Sequence, residues 1–495
     1  MKKENNSKNK DNKNDSLAKK TIDSSLWMFG SSFLNKGFKF TRKIILARIL
    51  APEDFGLFGI ALLILSASDS LTKTGFNKAL IQKQKEVEKY LNTAWTIQVM
   101  RGGILFLVLF STAPIIALFF NEPLAIPILR VLAIAQIFKG VQNIGMIYFD
   151  KRLQFNKKFI YTVSGTVFDF TVSIIAAYIL KNAWALVWGV LVGSIVKCMI
   201  SFILHPYRPS LNFSIIKAKE LFDFGKWKLA TSFIVFFAVH LDDIIVGRIL
   251  GTTKLGLFQM AFQLSNITAS EISYVVSKVA FASYSKLQND KKRLNIAYLR
   301  ILELVVTISL PMIGGMIILA PLGIKLVLGE KWMPMLYSFR VLTIGGLFRT
   351  LSITGGALFD AVGFPKGDFM MNKWRFISLS ITIIPFTYMW GLNGAAMTSG
   401  LALLVSLIPL IKNLSSILEQ DLGVYLKLSI IPFISSLIMI GVILCSYEYE
   451  IIKWFYLIKL ILLGSLVYFT LLYLFDKFNN LGPWTNIKWL LKKLL

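Results

Sequence analysis

The sequence is poor in the residues that build most catalytic and metal sites. Its 495 residues include two cysteines and two histidines, too few for a disulfide framework or a histidine-centred site. Cys198 and Cys445 both lie in apolar stretches. The chain has no phosphate-binding GxxxxGK[ST] loop and no HExxH zinc motif, so it predicts neither ATP hydrolysis nor metallopeptidase chemistry. We therefore expect no catalytic residue, no metal and no cofactor.

Charged residues are scarce as well, and apolar residues dominate. Only 16% of the residues are charged and 55% are hydrophobic, with a mean hydropathy of +0.63, which excludes a soluble globular chain. A bilayer core of about 30 Å needs roughly 20 apolar residues per helix. The apolar runs lack the alternation of barrel strands. They predict an all-α integral membrane protein with fourteen transmembrane helices, at 26–47, 55–75, 91–112, 125–148, 159–180, 183–204, 229–250, 256–280, 301–322, 335–358, 376–392, 394–412, 424–446 and 453–475.

The net charge of +27 could indicate a nucleic-acid partner, but its distribution indicates a membrane orientation instead. Alternate loops are rich in lysine and arginine: Lys78, Lys83, Lys85 and Lys89 precede the third helix, whereas 113–124 contains none. Basic loops stay in the cytoplasm. We therefore predict cytoplasmic termini, a cytoplasmic segment 281–297, and no nucleic-acid partner.

Two parts of the chain repeat each other. IILARIL at 44–50 returns as IIVGRIL at 244–250, and RVL at 130–132 returns at 340–342. Such repeats inside an apolar chain are typical of transporters built from two bundles. Six helices separate the repeats, so the bundles share one orientation and we predict two pseudo-symmetric six-helix lobes. The predicted divisions are a disordered basic cytoplasmic tail 1–25, a first lobe 26–204, a cytoplasmic connector 205–228, a second lobe 229–412, a final helix pair 413–475 and a cytoplasmic tail 476–495.

Cations inside the helices predict a site for an anion. At 100° per residue, Lys36, Lys39 and Lys43 fall within an arc of about 60° on the first helix. Charges at this depth cost several kcal/mol in lipid. They either form a polar seam paired with carboxylates of neighbouring helices or line a water-filled cavity. Arg101, Lys139 and Arg349 are the other candidates for the lining.

A second group of residues is a candidate for gating or ion coupling: Arg42, Asp69, Asp242, Asp243 and Glu271. The repeat aligns Arg42 and Lys43 with the two adjacent aspartates, which places them at similar depth in the two lobes. A charge pair there could act as a switchable contact between the lobes, as a site for H+ or Na+, or as a static clamp.

Several motifs resemble those of one transporter family. ARILAPEDFG at 47–56, TGF at 74–76 and ALIQ at 79–82 are similar to the amino-terminal signature of the oligosaccharide flippases. These are the Wzx and teichuronic-acid-type exporters of the multidrug/oligosaccharidyl-lipid/polysaccharide (MOP) superfamily. DIIVGRILG at 243–251 and YSKLQ at 284–288 resemble the second-half segments. The resemblance covers about 25–415. One departure is FASY at 281–284, where the family pattern leads us to expect a proline.

The resemblance implies alternating access around a cationic lumen in a bacterial plasma membrane. The substrate would be undecaprenyl-diphosphate-linked oligosaccharide, moved from the cytoplasmic to the outer leaflet, with membrane lipids and polysaccharide assembly proteins as further partners. Three alternatives stay open: a multidrug exporter of the same fold, a membrane-embedded glycosyltransferase or polymerase, and a non-transporting scaffold. The excess of intramembrane cations disfavours the first, and the short outer loops disfavour the second.

Overall fold

The computed structural model describes residues 27–72, 87–267, 280–448 and 451–479, apart from residues 29, 153, 282 and 421. These residues form helices and connecting turns, with no strand among them. Within these described ranges, the long helices number fourteen when two of them are divided at a glycine, which confirms the predicted fold class. They are α1 over 30–49, α2 Pro52–Thr72, α3 Glu88–Phe120, α4 Ala125–Val141, α5 Phe155–Leu180, α6 Trp184–Leu204, α7 over 215–250, α8 over 252–265, α9 Lys291–Val327, α10 Leu336–Ala361, α11 over 365–390, α12 over 392–418, α13 Leu422–Cys445 and α14 Trp454–Asn479.

Most of these helices have the length and composition of membrane spans. Within the described ranges, nine qualify, or ten if α4 and the bent segment Ile144–Lys151 count as one span. Pro365–Leu418 counts once among the nine although it contains α11 and α12. The first helix contains Lys36, Lys39, Arg42 and Lys43, which makes it unusually charged for a span.

Two glycines end helices in positions that other residues rarely adopt. Gly251 separates α7 from α8 with a φ of 80°, and Gly391 separates α11 from α12 with a φ of 58°. A glycine has no Cβ to clash at positive φ. Helix α5 ends the same way at Lys181, with a φ of 50°, and α11 begins and ends 210 residues after α5. The predicted sequence repeat thus extends to the structure, since α5 and α11 have the same length and each is followed by a residue with positive φ.

The contacts divide the chain into two units, Met1–Phe236 and Phe237–Leu495, so the division lies inside α7. In the first unit, α1 to α6 enclose an apolar core that includes Leu46, Leu132 and Leu186. In the second, the last helix pair packs on α9. Tyr468 donates a 2.6 Å hydrogen bond to the Thr307 carbonyl, and Leu319, Met439 and Leu460 share one cluster.

The segment 205–214 is tied to the first unit by hydrogen bonds. It forms neither helix nor strand, and α7 begins immediately after it. The Asn143 side chain donates to the Tyr207 carbonyl at 2.7 Å. Two backbone amides donate to side chains of α3, Ser210 to Asn92 at 3.1 Å and Asn212 to Thr96 at 3.0 Å. These bonds supply partners that an irregular backbone otherwise lacks.

Candidate functional site

Three charged residues from three helices meet inside the first unit. Asp69 of α2 accepts from Lys139 of α4 at 2.9 Å and from Arg101 of α3 at 3.2 Å. The Arg101 Nε also donates to the Thr72 hydroxyl at 2.8 Å. One carboxylate therefore holds two cations, and the site retains a positive charge.

A close contact between α3 and α4 brings these two cations together. Gly102 and Gly140 follow Arg101 and Lys139 in the sequence, and their backbones touch. A Cβ on Gly102 would lie 2.8 Å from the Gln136 carbonyl and 2.9 Å from the Cα of Gly140. The Gln98 side chain donates to the carbonyls of Lys139 and Gly140 at 3.1 Å each, which satisfies acceptors at the end of α4.

Adding a methyl group at this contact tests its importance. We expect Gly102→Ala to lower the free energy of unfolding by about 1–3 kcal/mol, because the overpacked backbones must separate. Gly103→Ala is the matched control, since a Cβ there meets nothing within 4 Å, and it should be neutral or raise stability by about 0.5–1 kcal/mol. Thermal unfolding of both purified variants measures the difference. Equal melting temperatures would contradict the close contact.

A second charged group joins α1, α5 and α6. Arg42 forms an ion pair with Asp169, and both side chains are 16% exposed. The same carboxylate oxygen accepts from the Ser173 hydroxyl at 3.3 Å. Lys39 and Lys197 lie within electrostatic reach of Asp169, and Lys139 lies within electrostatic reach of Lys197. The two groups of charges are therefore neighbours in one unit.

Glycines again determine where these side chains lie. A Cβ on Gly165 of α5 would lie 2.4 Å from the Lys197 side chain, so the lysine stem crosses the helix at that point. On α6, a Cβ on Gly189 would lie 2.6 Å from a carboxylate oxygen of Asp169, and one on Gly193 would lie 3.0 Å from its Cβ. Close packing of α5 and α6 thus confines the aspartate.

Together, the helices α1 to α6 each contribute a charged residue. We define the cationic cluster as six residues, namely Lys39, Arg42, Lys43, Arg101, Lys139 and Lys197, with Asp69 and Asp169 as its carboxylates. Lys36 lies one turn before Lys39 on the continuous helix α1, and both are exposed on their unit. Such an excess of positive charge suits an anion.

The second unit has a smaller polar group around a buried aspartate. Asp242 of α7 is 3% exposed and accepts from the Ser399 hydroxyl of α12 at 2.9 Å. Arg349 of α10 and Arg375 of α11 lie within electrostatic reach of it. Arg349 also stacks on the Phe262 ring at 4.5 Å. Both arginines therefore interact with groups of the second unit.

The adjacent carboxylate contacts a histidine rather than an arginine. His240 Nδ1 lies 3.2 Å from an Asp243 oxygen, one turn away on α7. The backbone amide of Asp243 donates to Asp242 at 3.0 Å. The two aspartates thus have different surroundings although they are neighbours in the sequence.

The structure brings together some of the predicted site residues and adds others. Arg101, Lys139 and Asp69 meet as a group, and Arg42 finds Asp169 within its own lobe. A contact of Arg42 or Lys43 with Asp242 or Asp243 stays a prediction. Glu271 lies outside the described residues. Both cysteines are free.

Sequence reasoning missed Arg375, Ser399 and the pairing of Asp169. Arg375 falls outside the predicted span 376–392, whereas α11 begins at Pro365, so the charge lies within a helix. Extending the predicted helix by one residue at its start would have included it. The Arg42 to Asp169 pair joins residues 127 positions apart, and helical periodicity carries no signal for such a contact.

The described parts of the chain contain an apolar cavity but no metal cluster. A cavity of about 610 Å³ in the second unit is lined by aliphatic and aromatic side chains such as Leu302, Leu351 and Phe433, without a charged residue. The described parts of the chain contain no group of three or more His, Cys, Asp or Glu residues that could hold a metal. The charged groups remain the candidates for anion recognition.

Comparison with solved structures gives the fold a counterpart. The lipid II flippase MurJ, in an inward closed conformation, superposes with a TM-score of 0.75 over 92% of this chain and 99% of its own, at 19% identity. An inward-facing multidrug resistance MATE transporter of the MOP superfamily gives a TM-score of 0.63 over 78% of this chain and 96% of its own, at 15% identity. At identities this low, the two superpositions establish a common fold.

Sequence comparison gives the family. The lipopolysaccharide biosynthesis protein WzxC of Escherichia coli (strain K12) is 26% identical over 362 residues, 73% of this chain and 71% of the relative. The teichuronic acid biosynthesis protein TuaB of Bacillus subtilis (strain 168) is 26% identical over 291 residues, 58% of this chain and 60% of the relative. The model of the family described as polysaccharide biosynthesis protein matches residues 45–337. Because that match spans more than half of the 495 residues, the chain belongs to the polysaccharide biosynthesis protein family.

Proposed function

We propose that this protein is a flippase that moves undecaprenyl-diphosphate-linked oligosaccharide from the cytoplasmic to the outer leaflet of a bacterial plasma membrane. The observation that carries the proposal is the cationic cluster, which opposes six cations to two carboxylates inside an apolar membrane protein. Family membership and relatives that are named for polysaccharide biosynthesis support the substrate class.

The cluster suits a diphosphate for physical reasons. Guanidinium groups such as Arg42 and Arg101 bind phosphate oxygens in a bidentate fork, and lysines such as Lys39 add point charges. Water in a polar lumen lowers the cost of keeping these charges within the membrane. The diphosphate would bind at the cluster while the isoprenoid stays in lipid. Alternating access of the two lobes would then change which leaflet the site faces.

The second lobe is the proposed site of coupling to H+ or Na+. Asp242 and Asp243 are the candidate carriers, because a carboxylate in the membrane gains most from a bound cation or proton. Arg349 and Arg375 lie close to Asp242, which favours a proton or a static clamp over a metal ion.

We assign the protein no enzymatic step, and transport accounts for its parts. The same-fold alternative, a multidrug exporter, would take cationic drugs, which the cationic cluster repels. A glycosyltransferase or polymerase would need acid and base carboxylates at the outer face. Membrane lipids and polysaccharide assembly proteins are the remaining proposed partners.

Removal of the gene in its native bacterium tests this function. We expect surface polysaccharide to disappear and lipid-linked oligosaccharide to accumulate, shielded from a sugar-specific lectin that is added to intact cells and reached by it after permeabilisation. Expression of the intact gene should restore polymer, and expression of a variant of equal abundance in which the cations of the cluster are replaced should not. Accumulated oligosaccharide that the lectin reaches on intact cells would contradict a flipping role.

The proposed cytoplasmic position of the segment 281–297 has its own test. In a chain with Cys198 and Cys445 replaced by alanine, a single cysteine at Lys286 should react with a membrane-impermeant maleimide only after the cells are opened. A cysteine at Asn121, in the turn between α3 and α4, is the control and should react on intact cells. The reverse pattern would overturn the proposed orientation, since basic loops determine it.

A further inference from the structure

Asp169 occupies the place where an anionic ligand of Arg42 would bind. Its carboxylate pairs with the guanidinium and lies within electrostatic reach of Lys39 and Lys197. Carboxylate and phosphate present the same kind of paired oxygen acceptors to an arginine. A diphosphate that binds Arg42 must therefore replace this carboxylate as the partner of the guanidinium.

The packing around the pair determines which partner can move. Gly189 and Gly193 confine the aspartate between α5 and α6, because Cβ atoms on them would lie 2.6 Å and 3.0 Å from its side chain. Ser173 donates to the same oxygen at 3.3 Å. The Arg42 side chain, in contrast, is long and has several rotatable bonds. In the exchange, the guanidinium would turn from the fixed carboxylate to a ligand, so one ion pair breaks, another forms, and no covalent bond changes.

From this geometry we propose that Asp169 is an internal competitor that lets the cationic cluster release its substrate. The proposal rests on the proposed flippase function and adds a release step to it. Six cations alone would hold a diphosphate tightly, and transport requires a site that binds well enough to load and weakly enough to unload. Arg42 is passed from Asp169 to the diphosphate on loading and returns to Asp169 on release.

Neutralising the aspartate tests the competition. The full-length Asp169→Asn protein, in detergent micelles, should bind inorganic pyrophosphate about tenfold more tightly than the wild type in calorimetric titration. In proteoliposomes with saturating lipid-linked oligosaccharide, it should turn over more slowly, because release limits the rate. If asparagine disturbs folding, Asp169→Ser is the second variant, because serine is smaller and fits the same confined space. It should show the same tighter pyrophosphate binding and slower turnover.

Two controls separate competition from a general change of charge. Asp150→Asn removes another carboxylate of the same unit, one that pairs with Lys158 near a helix end, and should leave pyrophosphate affinity unchanged. Arg42→Gln in the Asp169→Asn background should remove the gain in affinity, because the competition acts through the guanidinium. A gain that persists without Arg42 would overturn the proposal.

The outcomes distinguish this proposal from the function on which it rests. If the wild type binds pyrophosphate and moves lipid-linked oligosaccharide but Asp169→Asn binds no more tightly, the competitor role is wrong and the flippase function stands. If Asp169→Asn binds more weakly, the aspartate positions Arg42 instead. If the wild type neither binds pyrophosphate nor moves the lipid, both proposals fail.

Discussion

Replacing Lys36, Lys39 and Lys43 together with alanine is expected to reduce polysaccharide export on the order of a hundredfold. Each of these three lysines should contribute about 1 kcal/mol to diphosphate binding, a value that includes solvent screening. A loss of this size is about fivefold per lysine, and three such losses multiply if the sites act independently. Lys39→Ala alone should reduce export about fivefold, and Lys39→Arg should retain part of it because the charge remains.

The controls for this result concern abundance and position. Immunoblots should give equal amounts of each variant in the membrane, because Lys36 and Lys39 are exposed on their unit and Lys43 is partly exposed. Lys254→Ala, at an exposed position on α8, is the matched control and should export normally. Normal export from the triple variant would remove the stripe of lysines from the substrate site.

The second large effect is expected at the buried aspartate of the second lobe. Arg375→Met removes the α11 cation within electrostatic reach of Asp242, which is 3% exposed, and leaves Arg349 as the other nearby cation. Removing one partner of a buried charge pair typically lowers the free energy of unfolding by about 3–5 kcal/mol. We therefore expect little folded protein by size-exclusion chromatography. Adding Asp242→Asn should restore folding, because the buried position then carries no charge and its amide can still bond to Ser399.

The activity of that folded double variant separates two roles. If Asp242 is an ion-coupling residue, the double variant should fold and still fail to export polymer. If the pair is a static clamp, the double variant should export normally. Persistent misfolding of the double variant would contradict the charge pairing itself, since neutral side chains carry no such penalty. Asp243→Asn, beside His240 rather than an arginine, provides a comparison in which folding should be unaffected.

The sequence predicted the helices well because the bilayer enforces a simple length rule. An apolar run of about 20 residues has few alternatives to a spanning helix, and Phe155–Leu180 and Trp184–Leu204 follow the predicted spans closely. Helix ends in polar surroundings are less constrained. Helix α11 therefore starts at Pro365, well before the predicted residue 376, and the prediction left Arg375 outside the helix.

The repeat could also be predicted, whereas the partners of the charged residues could not. Helical spacing placed three lysines on one face of α1, and the continuous helix agrees with that spacing. The partner of Arg42 lies on α5 and depends on how closely Gly189 and Gly193 let α6 approach. A contact that depends on three helices at once has no signature in the periodicity of any one of them. Asp69 as the shared partner of Arg101 and Lys139 is of the same kind.

The most direct test of the central claim is a translocation measurement on the purified protein in liposomes. Lipid-linked oligosaccharide would be placed in both leaflets, and a sugar-oxidising enzyme outside would report how much of it becomes accessible. We expect the accessible fraction to rise from about half, the share in the outer leaflet, to nearly all with the wild-type protein. Over the same time, it should stay near half with the triple alanine variant at Lys36, Lys39 and Lys43. A fraction that stays at half with the wild type, or that rises equally with the triple variant, would contradict the central claim.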